Sequence, residues 1–144
     1  MTEAVRALLA ALLSLYRPPA ATRERIDRTR DAIVTAVTEA AEQHGVPPAV
    51  LLVVGFSETH LGTDVGEGGG WGAPVDRRHR HTAGNAGHAA RSLAWGYRHC
   101  GTWQMAVAFF RTGPCRPRHP SGYTAAGTMR IVARVSALAG AAVP

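Results

Sequence analysis

Apolar positions along this chain recur mostly at the three- and four-residue spacing of amphipathic helices, not in the alternation of half-buried strands. Residues 3–16 carry this pattern and stop before Arg17-Pro18-Pro19. A second helix is predicted over residues 22–44, capped by Thr22, with Ile26, Ile33, Val37, Ala40 and Ala41 on one face and Gly45 as its stop. Pro47-Pro48 then opens a segment over residues 49–59, since proline suits the first helical turn. Its run over residues 50–56 is apolar on every side, and periodicity alone does not separate a buried helix from a buried strand. The proline start and the helical surroundings favour a central buried helix. Helices resume over about residues 86–99, 102–111 and 121–138, the last anchored by Tyr123, Met129, Val132, Val135 and Leu138.

Between these helices, residues 62–87 are rich in Gly and Arg and have no apolar period. A stretch of that length inside a compact domain is usually functional. The pattern gives an all-α fold class: residues 1–22 as an N-terminal helix and linker packed on a domain of residues 23–144. A chain of 144 residues can enclose a sizeable core. With 46% hydrophobic and only 6% aromatic residues, the core is expected to consist of closely packed Ala-, Val- and Leu-rich helices. Trp95 and Trp103, on predicted helices, are expected in it.

No stretch is long enough to span a bilayer, so no stable membrane insertion is expected. Residues 7–16 are short and apolar, like the middle of a signal peptide. However, Glu3 and Arg6 precede them, and Arg17-Pro18-Pro19 stands where a small-residue cleavage site belongs. A helix docked on the domain is the better reading, and a degenerate signal is the other.

The formal net charge is +6 and all 16 basic residues are Arg, which points to an anionic partner: nucleic acid, anionic lipid or the bacterial wall. The cluster Arg77-Arg78-His79-Arg80-His81 reads equally as a grip on carboxylates and as a solvated loop. It lies in a loop rather than on a recognition helix, so nucleic acid is not the expected partner. His79, His81 and His88 lack the accompanying Cys or carboxylate spacing of a metal site. Gly66, Gly68, Gly69 and Gly70 lack the preceding strand and following Gly-Lys-Ser/Thr of a phosphate loop. Neither metal nor cofactor is expected. Cys100 and Cys115 flank a predicted helix and can bridge only if residues 112–114 turn the chain back, so a disulfide and two free thiols stay equally open.

Glu58 is the most informative residue. It ends the apolar helix and stands just before the Gly-rich stretch. There the negative end of the helix dipole and apolar neighbours such as Phe56 and Leu61 disfavour the ionised carboxylate, as a general acid requires. Taken by position alone, a solvated Glu or one paired with a loop Arg accounts for it as well.

The motifs around Glu58 resemble the lysozyme-like superfamily, the soluble lytic transglycosylases and more closely the goose-type lysozymes, over about residues 30–135. Residues 41–55 resemble the family's helix pair, joined by a short Gly-Val-Pro-Pro turn. Ser57-Glu58-Thr59-His60-Leu61-Gly62 is similar to the Glu-Ser-x-x-Gly signature, with Thr59 in the Ser position. Trp71-Gly72-Ala73-Pro74-Val75-Asp76-Arg77-Arg78 resembles the aromatic-Gly-Leu-Met-Gln-Val-Asp-Lys-Arg segment. The stretch from Leu93 to Gly113, including residues 103–113, resembles the helix ending in Ala-Tyr-Asn-Ala-Gly, and Tyr123 with the helix after it resembles the closing helix. Two departures stand out. The family's Met-Gln pair is replaced or deleted around Pro74-Val75, and its Tyr-Asn pair becomes Phe110-Arg111, so a phenolic donor is lost.

The resemblance implies a lysozyme-like fold that cleaves the β-1,4 bond between N-acetylmuramic acid and N-acetylglucosamine in peptidoglycan strands, with Glu58 as proton donor. For inverting hydrolysis a second carboxylate would stand about 6.5–9.5 Å away. Asp76 is the candidate, ahead of Asp64 and Glu67, and its bland alternative is a salt bridge with Arg77 or Arg78. A lytic transglycosylase needs no second carboxylate. Thr59, His60, Trp71, Gly72, Phe110, Arg111 and Tyr123 are the expected substrate-contacting positions; Trp71 reads equally as a sugar platform and as core. The expected place of action is the bacterial cell wall, reached by secretion, in the periplasm or by phage delivery, as a monomer or within a larger assembly. A catalytically degenerate wall-binding or structural module is the alternative.

Overall fold

The computed structural model describes residues 1–63, 82–116 and 125–144, with only the backbone for residues 82–84. Among the described residues, seven helices make up the regular structure: α1 (Thr2–Leu15), α2 (Ala20–Arg28), α3 (Arg30–His44), α4 (Pro48–Thr59), α5 (Thr82–Cys100), α6 (Trp103–Thr112) and α7 (Ala125–Ala139). Among the described residues there is no strand, and no helix is long and apolar enough to cross a membrane. The all-α expectation holds.

The apolar run after Pro47-Pro48 is the central helix. Pro48 occupies its first turn, and Val50, Leu51, Leu52, Val53 and Val54 are all buried. A helix apolar on all sides must be enclosed on all sides, and α4 is packed by α1, α3, α5 and α7. Each large side chain so buried contributes about 1.5–3 kcal/mol. The first helix belongs to the same core: Val5, Leu8, Leu9, Leu12 and Leu13 are buried together with α4 and Ile33, Val34 and Val37 of α3.

The helix expected over residues 22–44 is two helices. Thr29 departs from helical geometry at φ −107° and ψ 12°, and its hydroxyl donates to the Arg25 carbonyl at 2.8 Å. Such back-bonding bends or interrupts a helix while leaving its apolar face intact; Ile26 and Ile33, on either side, stay fully buried. Thr22 is therefore inside α2 and buried, where it accepts a hydrogen bond from Arg25 Nη2 at 3.1 Å, and the cap position is Pro19. The Gly45 stop is as expected, left-handed at φ 66°.

α5 starts at Thr82, inside the stretch expected to be loop, and runs back along α6. A Cβ added at Gly96 would stand 3.3 Å from the Cα and carbonyl oxygen of Ala106, so the two helices meet backbone to backbone. Thr102 caps α6 by accepting from the Met105 N–H at 3.2 Å. Cys100 and Cys115 form a disulfide that ties the end of α5 to the segment after α6. Two expectations fail here. Trp95 is 51% exposed instead of core, and Leu138 is 56% exposed instead of an anchor of α7. Trp103 does pack partly against the core and stacks on Tyr97 with centroids 4.2 Å apart.

Candidate active site

The chain leaves α4 through two consecutive left-handed residues, His60 at φ 48° and Leu61 at φ 62°. Neither is glycine, and a left-handed conformation costs a side-chain-bearing residue about 1–2 kcal/mol. The turn is held by several independent contacts. The Leu61 N–H donates to the Gly55 carbonyl and the His60 N–H to the Phe56 carbonyl, each at 3.0 Å. Gly62 N–H donates to Thr59 Oγ1 at 3.0 Å, and the Thr63 hydroxyl donates to the His60 carbonyl at 2.8 Å. Arg25 Nε, from α2, donates to the Thr63 carbonyl at 3.0 Å. The Leu61 side chain is fully buried beneath them. These contacts hold the backbone at the end of α4, next to Glu58.

Opposite Glu58 stands the end of α6. Arg111 Nη1 lies 2.9 Å from Glu58 Oε1, with the two side chains 21% and 25% exposed. The acid is thus not left to apolar neighbours alone. Among the described residues its cationic partner is Arg111, which comes from α6.

The other expected positions divide into two groups. Thr59 is buried and its hydroxyl is engaged in the turn, which makes it a structural residue of the exit. His60 is half-buried, with its ring edge-on to Phe56 at 5.0 Å, and Phe110 packs partly against the core next to Arg111. Trp71, Gly72, Asp76 and Tyr123 lie outside the described residues, as do Asp64, Glu67 and the cluster over residues 77–81. Glu58 and Arg111 therefore meet where the ends of α4 and α6 approach, and Thr59, His60 and Phe110 are their neighbours along the chain.

Pockets bounded by described residues include one of about 440 Å³, lined by Arg25, Arg28, Thr29, Gly62 and Thr63, against the exit turn of α4. Another, of about 400 Å³, lies between Tyr97, Trp103, Met129 and the C-terminal residues Val143 and Pro144. Glu58 lines neither. Sequence reasoning missed the role of Arg25 in fixing the turn; that residue carries no motif, and only packing of α2 against residue 63 reveals it. Comparison with protein-family models, curated proteins and solved structures finds no match for this chain.

Proposed function

We propose that the chain is a peptidoglycan-cleaving enzyme, a lysozyme-like muramidase or lytic transglycosylase, with Glu58 as general acid. The observation that carries this reading is a part-buried carboxylate at the end of a largely buried apolar helix, next to a strained, many-bonded turn. Strain of this kind persists only where the surroundings hold it, and it concentrates at functional sites. The ordered sequence motifs around Glu58 supply the choice of substrate.

In this mechanism Glu58 donates its proton to the glycosidic oxygen as the sugar C–O bond breaks, and water or the sugar's own hydroxyl then takes the anomeric carbon. Arg111 engages Oε1, so Oε2 is the proposed donor atom. Asp76 is the proposed base for the hydrolytic route. The same ion pair favours the second reading, in which a lysozyme-shaped module binds the wall without cutting it, because the acid is engaged by a cation.

The test is digestion of purified peptidoglycan by the native protein and by Glu58→Gln, with released sugars identified by mass spectrometry. Reducing ends signify hydrolysis and anhydro ends transglycosylation, and either should vanish in the variant. No release by the native protein across wall types and pH values would leave the binding module.

A further inference from the structure

All ten acidic residues of the chain stand at or before Asp76, whereas residues 77–144 hold ten arginines and no acid. The surfaces built by α5, α6 and α7 therefore carry no carboxylate of their own. α5 buries Ala86, Ala89, Ala90, Leu93 and Ala94. Its outward face presents Arg91, Trp95, Arg98 and His99, within about 100° of arc at helical spacing. All four are exposed. No described carboxylate forms an ion pair with Arg91 or Arg98. Their charge is felt by half-buried His44, whose pKa they help to lower.

Trp95 sits between these two cations, half exposed and yet held in place. Its ring lies parallel to His99 with centroids 5.3 Å apart, and Phe109 packs at a tilt at 5.0 Å. A single exposed apolar side chain is ordinary. An aromatic ring braced from the protein side and flanked by guanidiniums that no described carboxylate pairs is a preorganised platform that loses little freedom on binding.

We infer that the outward face of α5 is a second binding surface, for an acidic glycan: Trp95 stacks on a sugar face while Arg91 and Arg98 pair with carboxylates. Identifying that glycan as wall peptidoglycan with carboxylate-bearing peptides rests on the function proposed above, but the surface does not need Glu58 to act as an acid. The spacing favours a sparse polyanion. Arg91 and Arg98 are two turns apart, about 10 Å, whereas a nucleic-acid strand in a duplex carries a charge about every 3.4 Å. An interfacial membrane helix would need a broad apolar face in place of one ring.

The test uses Glu58→Gln protein, so that retention on purified peptidoglycan sacculi is measured without cleavage. Trp95→Ala should weaken retention about three- to tenfold, and Trp95→Tyr should restore most of it. Arg91→Gln with Arg98→Gln should weaken it at low salt and flatten its salt dependence. Equal retention by all variants, or no retention at all, overturns the inference. So does a larger effect of the same substitutions on binding to single-stranded DNA or phosphatidylglycerol vesicles. Sugar release by the native protein tests Glu58 separately, so either the acid or the surface can fail while the other stands.

Discussion

Arg111 Nη1 and Glu58 Oε1, 2.9 Å apart and about three-quarters buried, close the end of α6 onto the end of α4. Exposed ion pairs contribute about 0–1 kcal/mol, and breaking a fully buried one costs about 3–5 kcal/mol. Arg111→Gln should accordingly destabilise the protein by about 1–3 kcal/mol, and Glu58→Gln added to it should recover part of that loss. A double-mutant cycle by urea denaturation measures the coupling. A coupling near zero would show that the pair holds nothing together.

Leu61 combines a fully buried side chain with a left-handed backbone. Truncation to Ala removes its packing and keeps the strain, so Leu61→Ala should cost about 2–5 kcal/mol. Glycine is free of the steric penalty at φ 62°. Leu61→Gly should therefore be no less stable than Leu61→Ala, although glycine is ordinarily about 0.5–1 kcal/mol worse in a helix or strand. Denaturation midpoints of the two variants decide this, and a clearly weaker Gly variant would mean that the turn stores no strain.

The helices were legible where a local signal marks them. Pro47-Pro48 and Gly45 bracket the junction of α3 and α4, and the structure places both as their backbone preferences require. The break at Thr29 was not legible, because it depends on a hydroxyl bonding back to a carbonyl one turn away. Trp95 was misplaced because an aromatic on a helix reads as core. The buried face of α5, however, consists of alanines and Leu93, and the touching backbones of α5 and α6 at Gly96 leave no room there for an indole. The place of Glu58 at the end of an apolar helix was legible. The partner of Glu58 was not, since the approach of Arg111 depends on how two distant helix ends pack. Asp76, Trp71, Gly72 and Tyr123 fall outside the described residues.

The Cys100–Cys115 disulfide, with a sequence separation of 15, carries α6 and therefore Arg111 inside its loop. Closing a loop of this size stabilises by about 3 kcal/mol in the chain-entropy account. Cys100→Ser with Cys115→Ser, or native protein in reductant, should lose about that much in denaturant titrations. Insensitivity to reductant would show that the bond does not form in solution.

His44, at the end of α3, supplies a pH dependence whose sign follows from its surroundings. Burial, and after it the charges of Arg91 and Arg98, hold its pKa below the usual 6.5. The unfolded chain therefore takes up the His44 proton at a higher pH than the folded chain does. Above pH about 6.5 the imidazole is neutral in both states and contributes no slope. As pH falls from there through the folded pKa, the unfolded state gains the proton first, and stability falls with it. His44→Gln removes this contribution, so the stability lost between pH 7.5 and pH 5 (about one unit above and one and a half below the reference value) should be smaller in the variant than in the native protein. Paired urea titrations at the two pH values measure the difference. An equal or larger loss in the variant would mean that His44 takes its proton as readily folded as unfolded, and that Arg91 and Arg98 do not impose their charge on it.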